Sequence, residues 1–547
     1  MLLPLFYILA VPPNNLGSPG KQASAGGERR VTFLAINDIY RLDGLADGTI
    51  GGLTRVRTLR KWIERDAPNA ILLHAGDFLS PSLISKVFKG EQMIDALNNL
   101  DGDPKAFDRR MFVAFGNHEF DDSRCQDAQP PLNARVDESQ FTWLAANLDF
   151  PNCKAMSGIL SRKNVHKDGF VLDVDNVKVG LFGIGLTPDK RGAPRYPQFE
   201  KALPAARRSI DYLRAQGAEL IVALTHLPRE DDEALITELS GAGLDLVVGG
   251  HDHENMVLRD GRGFKADSDA RSAWRIDVHL SRGQKPRIEG QLILLNAAIP
   301  PDAALEKLAE SWFARTEKVL CEKMVAADAH CLGQPVGWIR SMMELEETPN
   351  RSQETGFGDW LGDLVLSKTR ADVALINSGN LGLNENLPSG SKLTLKHVID
   401  IFRFDDVIAV RSFPARQVCA AITHGLQQAG TGAWPHLAGV EAAVTRRNNT
   451  QAAAVTRFIG KDGVTCDSET PIKVAALPYI LCGGDDYPFL PGGASKECIE
   501  GLQKMPTDPA DPDYRGELLS KMAGDAIRAA QATGLELINR RRLRFAE

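Results

Sequence analysis

Before residue 300 the apolar positions fall into short continuous runs, VTFLAI, AILLHA, MFVAF, LIVAL and LDLVV, and each run breaks off into a small polar cluster. Unbroken β-branched runs of this length predict strands of a sheet covered on both faces. Between them the spacing turns helical, in LTRVRTLRKWIERDA after Gly51-Gly52, EQMIDALNNL after Gly90, and ALPAARRSIDYLRAQG closing on a glycine. Beyond His253 only strand patterns remain: MVLRD, WRIDVHL and RIEGQLILL. Residues 31–299 therefore predict an α/β sandwich closed by an antiparallel section. Pro300-Pro301 interrupts the chain, and DAALEKLAESWFARTEKVLCEKM reads as an amphipathic connector helix within 300–332. A second mixed α/β domain is expected over 333–547, from the runs VALIN, IAVRSF and KVAALPYILC.

Composition narrows the setting. The 547 residues suggest about two to four domains. Apolar and charged fractions of 43% and 25% are those of a folded soluble protein. A net charge of −7 gives no general attraction for a nucleic-acid polymer or an anionic membrane, so any phosphate recognition must be local. Residues 1–30 join an apolar stretch of export-signal length to a Pro/Gly/Ser-rich lead-in, and read as a signal-like or disordered segment. This tips the expected location toward the periplasm or the exterior rather than the cytoplasm, and no later segment is long enough to span a bilayer. The eight cysteines form no C-x-x-C pair; they permit disulfides without demanding them.

The polar clusters carry the chemistry. They are Asn37-Asp38-Ile39-Tyr40, Gly76-Asp77, Gly116-Asn117-His118-Glu119, Thr225-His226 and Gly249-Gly250-His251-Asp252-His253. Ligands of α/β sheets collect beyond the carboxyl ends of the strands, where such clusters can converge. Together they hold a donor set for two adjacent divalent ions, with zinc, manganese, cobalt and iron all admissible. Asp77 is the natural bridge. Asn117, His226 and His251 complete one ion, while Asp38 and His253 serve the other. His251 and His253 lie two apart and would face the same side of a strand. His118 directly follows Asn117 and is left as a non-ligand; Asp121, three residues on, could orient it as a proton donor to a leaving alkoxide. His74 reads as a buried or supporting histidine.

Four of the five blocks match the pattern D-x-H, G-D, G-N-H-E/D, lone His, G-H-x-H, and on these residues the chain resembles the calcineurin-like metallophosphoesterases. The G-N-H-E-F-D form at 116–121 is similar to the 5′-nucleotidase branch, which includes UDP-sugar hydrolases and 2′,3′-cyclic nucleotide phosphodiesterases. That resemblance implies hydroxide attack on phosphorus between two metals, with His118 and Asp121 aiding departure. It also implies a C-terminal nucleoside-binding domain. Asn377-Ser378-Gly379-Asn380-Leu381 is similar to the family's N-[SG]-G-G-[IL]-R, which puts Asn377 against the base and Gly379 beside it. Phe404 and Tyr479 stand at the two base-stacking positions, and Asp485 at the ribose-binding acid. The family arginine is replaced by Gly382, and Arg351 is a displaced counterpart of another. The implied activity is hydrolysis of a nucleotide or related small phosphate. A cyclic-nucleotide phosphodiesterase, a nucleotide-sugar pyrophosphohydrolase and a catalytically inactive nucleotide-binding protein are the alternatives.

Tyr40 departs from the pattern, standing where D-x-H has its histidine. A phenolate ligand would need a hard ion to pull its pKa down from about 10. A neutral phenol would instead leave one metal short of a protein donor, and a weaker first metal site is the expected outcome.

Overall fold

The computed structural model describes residues 28–547 except 187–197, 324–329, 403, 405, 448–449, 492, 495, 512 and 547, so most of the N-terminal segment read as signal-like lies outside the described residues. The chain divides into two compact units, with the division between Thr316 and Glu317, inside the helix Ala303–Lys323.

The first unit is built on two sheets. One runs in the order Arg287–Leu294, Ser272–Leu280, Arg29–Ile36, Ile71–His74, Met111–Ala114, Thr142–Leu144, Val165–His166. The other runs Met256–Leu258, Gly263–Lys265, Leu246–Gly249, Leu220–Thr225, Val177–Ile184, Phe170–Val174. Period-two alternation explains how they pack. On Arg29–Ile36 the side chains of Val31, Phe33 and Ala35 enter a core shared with Val179, Leu181, Val222, Leu224 and Val248 of the second sheet. Leu34 and Ile36 point the other way, against Leu53, Val56, Leu59 and Ile63 on one stripe of the helix Leu53–Asp66. The outer face of the second sheet is covered likewise by Ile210 and Leu213 of Ala202–Ala215 and by Leu235, Ile236 and Leu239 of Arg229–Leu239. Two sheets with helices outside give four layers, so the inner strands are buried on both faces and spell continuous apolar runs. Each such side chain stabilises the fold by about 2 kcal/mol.

The second unit has a five-stranded mixed sheet, Pro435–Ala438, Val373–Asn377, Pro471–Ala476, Val407–Pro414, Tyr514–Leu518. Beside it runs a three-stranded sheet of Thr450–Phe458, Val440–Arg447 and Leu543–Ala546. The run KVAALPYILC, expected as one element, is two. The strand ends at Ala476, and Pro478, with no N–H to continue a ladder, starts the helix Pro478–Leu481. All eight cysteines are paired, as Cys125–Cys153, Cys321–Cys331, Cys419–Cys466 and Cys482–Cys498.

Candidate metal centre

The parallel strands Arg29–Ile36, Ile71–His74, Met111–Ala114, Leu220–Thr225 and Leu246–Gly249 all release their polar clusters at the carboxyl end. Immediately beyond them the backbone bends sharply. Asp38, Asp77, His251 and His253 have φ of 51°, 59°, 82° and 64°. Left-handed backbone costs a residue with a Cβ about 1–2 kcal/mol, and it persists where the surroundings fix it. Here Asp38 N donates to Gly76 O at 3.0 Å, and Asp38 O accepts from Asp269 N at 2.8 Å. The expectation that His251 and His253 share the face of a strand is thereby corrected: the strand stops at Gly249, and left-handed turns aim both residues. Glycines let the loops close up. A Cβ on Gly250 would lie 2.7 Å from Ala75 O and 2.9 Å from Asp38 Oδ2, and one on Gly116 would run into Asp77 Oδ1.

These turns bring together Asp38, Asp77 and His253, whose donor atoms lie within 4.8 Å of one another. His253 Nε2 is 3.2 Å from Asp38 Oδ1, and His226 Nε2 is 3.1 Å from Asp77 Oδ2. The rings of His226 and His251 meet edge to face with centroids 5.2 Å apart. The Tyr40 hydroxyl lies inside the cluster, 3.2 Å from His253 Nε2 and 3.4 Å from Asp77 Oδ2. His118 N donates to Asp77 Oδ1 at 2.8 Å, and the His118 ring pairs through Nδ1 with Asp121 Oδ2 at 2.8 Å.

The donor set fits a metal. Asn117 Oδ1 is a buried acceptor without a hydrogen-bond partner, an arrangement that a cation would satisfy. His226 Nδ1 donates to Ala75 O at 2.7 Å, which leaves Nε2 as the nitrogen a metal could take. Burial opposes ionisation of Asp38 and Asp77, yet the histidines beside them hold both carboxyls below the usual range. Burial, reinforced by the charge of His226, pushes His251 down to about 3, so its ring is a neutral donor. Burial alone would also depress His226, but Asp77 and Asp38 overcome it and raise the metal-free ring to about 10. That proton must leave before Nε2 can bind a cation. Metal uptake at pH 7 is therefore expected to release about one proton from this site, and apparent affinity should rise with pH by up to about tenfold per unit below that pKa. Calorimetry in buffers of different ionisation enthalpy reads the proton count, and a count of zero would contradict this assignment.

Glu119, the last residue of the Gly116-Asn117-His118-Glu119 cluster, acts on the main chain. Its buried carboxylate accepts four backbone N–H groups: Asp77 at 2.9 Å, Gly116 at 2.6 Å, Phe78 at 2.8 Å and Leu79 at 3.3 Å. Burial and the charge of Asp77 push its metal-free pKa up to about 7. His74, fully buried against Phe78 with both ring nitrogens unpartnered, is pushed by burial down to about 3 and stays neutral.

In the second unit, Asn377 ends the strand Val373–Asn377 with its buried Oδ1 lacking a partner. Gly379 N donates to Gly432 O at 2.8 Å, and a Cβ there would sit 3.4 Å from the Asn377 amide nitrogen. Tyr479 OH donates to Asp485 Oδ1 at 2.9 Å, and Asp485 carries a left-handed φ of 52°. Phe404 leaves 38% of its surface exposed. Arg351 is ion-paired with Glu347.

Carboxylates, an unsatisfied amide carbonyl and imidazoles gathered beyond the strand ends of a four-layer sandwich define a metallophosphoesterase domain. Residues 31–255 match the family model for calcineurin-like phosphoesterase, and residues 335–492 that for the 5′-nucleotidase C-terminal domain. The chain belongs to the 5′-nucleotidases of the calcineurin-like phosphoesterase superfamily, a family of hydrolases that use divalent metals. It is 27% identical to the human 5′-nucleotidase over 84% of each chain. With the trifunctional nucleotide phosphoesterase protein YfkN of Bacillus subtilis it shares 23% identity over 84% of its own length, and spans 32% of that longer protein. In fold it is similar to a 5′-nucleotidase precursor from Thermus thermophilus, with a TM-score of 0.74 at 20% identity over 95% of this chain and 100% of that one. The sulfate thiohydrolase SoxB of Thermus thermophilus has the same fold at a TM-score of 0.67 and 13% identity, covering 94% of this chain and 96% of that one, so the fold leaves the substrate open.

Proposed function

We propose that the protein hydrolyses the phosphoester of a nucleotide or a related small phosphate with the help of two divalent ions, which Asp77 would hold in common. The central position of Asp77, between His226 Nε2 at 3.1 Å and the pair of Asp38 and His253, carries this reading. One ion would be held by Asp77, Asn117, His226 and His251, the other by Asp77, Asp38 and His253. Bound there, the ions supply Lewis-acid stabilisation of the phosphoryl oxygens and lower the pKa of an attacking water. Asp121 holds the proton on His118 Nδ1, which directs Nε2, 4.0 Å from Asp77 Oδ2, toward the departing alkoxide. His118→Asn should lower kcat by about 10²-fold or more with metal content unchanged, as removal of a general acid does. Equal kcat for the variant and the parent would remove His118 from the mechanism.

Asn377, Gly379, Phe404, Tyr479 and Asp485 form the proposed nucleoside reader. The exposed Phe404 ring offers a base a stacking face worth about 1–3 kcal/mol, Asn377 Oδ1 accepts from the base, and Asp485 accepts from the sugar. Gly382 in place of an arginine, with Arg351 already paired to Glu347, favours substrates other than a simple monophosphate. Cyclic nucleotides and nucleotide sugars therefore belong in the test. Phosphate release from mononucleotides, cyclic nucleotides (with a phosphatase coupled) and nucleotide sugars, with manganese, cobalt or zinc, should single out one class. No turnover on any of them, with nucleotide binding retained, would leave an inactive binding protein.

Tyr40 in this reading is a neutral phenol that donates toward Asp77 and leaves its ion short of one protein ligand. No intense visible charge-transfer band is expected with any bound metal; a band lost on Tyr40→Phe would mean phenolate ligation instead.

The four disulfides support an oxidising compartment, periplasmic or extracellular. Among the described residues no helix is long and apolar enough to cross a membrane.

A further inference from the structure

We propose that Lys265 is a positioning residue that fixes the separation of His226 and His251, and thereby the affinity of the ion they share. This rests on reading those two histidines as ligands. Lys265 lies at the end of the strand Gly263–Lys265 and is 1% exposed. Its ammonium donates to Leu227 O at 2.6 Å, to Gly250 O at 2.9 Å and to Asp252 Oδ2 at 2.5 Å, and pairs with the fully buried Asp232 at 2.8 Å. Leu227 follows His226, Gly250 precedes His251, and Asp252 separates His251 from His253. One cation thus touches the flank of every histidine released by two neighbouring strands.

The need for such a tie follows from the sheet. The parallel pairing of Leu220–Thr225 with Leu246–Gly249 ends at Thr225 and Gly249, and Gly250 N, donating to Thr225 O at 3.0 Å, is the last ladder bond between them. Beyond it the two segments turn apart into loops, and the ammonium takes over from the ladder. Lys265 is itself anchored, paired in the sheet with Gly249 and Met256, and its carbonyl accepts from Trp274 Nε1 at 2.7 Å. A charge buried this deeply carries a desolvation penalty that an apolar side chain would avoid, so stability alone is a poor account of it. Orientation of metal ligands by outer contacts of this kind is commonly worth 10–100-fold in metal affinity.

The test is titration of the metal-free, full-length protein with Mn²⁺, followed by calorimetry and electron paramagnetic resonance. It compares the parent with Lys265→Met, Lys265→Gln and His226→Ala, each checked for folding by circular dichroism. Two ions are expected for the parent. Lys265→Met should weaken one of them by about 10–100-fold and leave the other unchanged, a selectivity that general destabilisation would not produce. Lys265→Gln, one atom shorter and uncharged but still a donor, should show a smaller loss at the same ion; if the methionine variant does not fold, the glutamine variant and Asp232→Asn decide by loss confined to that ion. Lys265 variants that bind both ions like the parent, while His226→Ala loses one, overturn the positioning role alone. His226→Ala binding like the parent overturns the ligand reading, and the proposal with it.

Discussion

Asp77→Asn should abolish turnover and also destabilise the metal-free protein. In the proposed site Asp77 is the donor both ions share, and the ions supply several kcal/mol of transition-state stabilisation, which amounts to roughly 10³–10⁴-fold in kcat/KM. Stability obeys different terms. Asparagine tolerates the left-handed φ of 59° better than most residues, and the substitution relieves repulsion between two buried carboxylates, Asp38 and Asp77. Against this stands the lost ion pair with His226 at 3.1 Å. Because the neighbouring histidines hold Asp77 below the usual carboxylate range, its charge is net favourable in the metal-free fold, and breaking this buried pair is expected to cost about 3 kcal/mol. Metal content, steady-state rates and thermal unfolding of the metal-free form measure all three; retained metal and turnover would show that Asp77 does not bridge.

Glu119→Ala should act chiefly through the fold. The carboxylate holds four backbone N–H groups, those of Asp77, Phe78, Leu79 and Gly116, at 2.6–3.3 Å. Each buried donor left unsatisfied costs about 1–3 kcal/mol, so even with a water entering the gap the loss should be about 4 kcal/mol or more. That is a large share of the stability of a typical domain. Urea unfolding of the metal-free protein reads it directly. A loss below about 1 kcal/mol would mean that the turns hold themselves without the carboxylate.

Much of this molecule is written openly in its sequence, for a physical reason. A four-layer sandwich buries its inner strands on both faces, so VTFLAI, AILLHA, MFVAF, LIVAL and LDLVV spell themselves as unbroken apolar runs, and the residues after them stand at the strand ends. What escapes is whatever depends on backbone turned against type. The positive φ of Asp38, Asp77, His251 and His253 leaves no pattern in composition, so His251 and His253 read as strand neighbours when they are turn residues. Glu119 and Lys265 escape because each acts on the main chain of segments distant in sequence: Lys265 is 38 residues from Leu227 and 15 from Gly250. The hairpin of Val440–Arg447 and Thr450–Phe458 escapes for another cause: its alanines, threonines and arginines carry little apolar signal. In the second unit the proposed reader residues follow from family likeness alone, and the unpartnered Asn377 Oδ1 shows only in the fold.

The pairing of the cysteines bears on how the chain is made. Eight cysteines can pair in 105 ways. Here each joins the very next one along the chain, across separations of 28, 10, 47 and 16 residues. If the chain is exported amino end first into the oxidising compartment proposed above, every thiol meets its native partner before a competing thiol follows it. Oxidation in order of emergence yields the correct set directly, without reshuffling, so a simple thiol oxidant suffices where interleaved pairings would call for an isomerase.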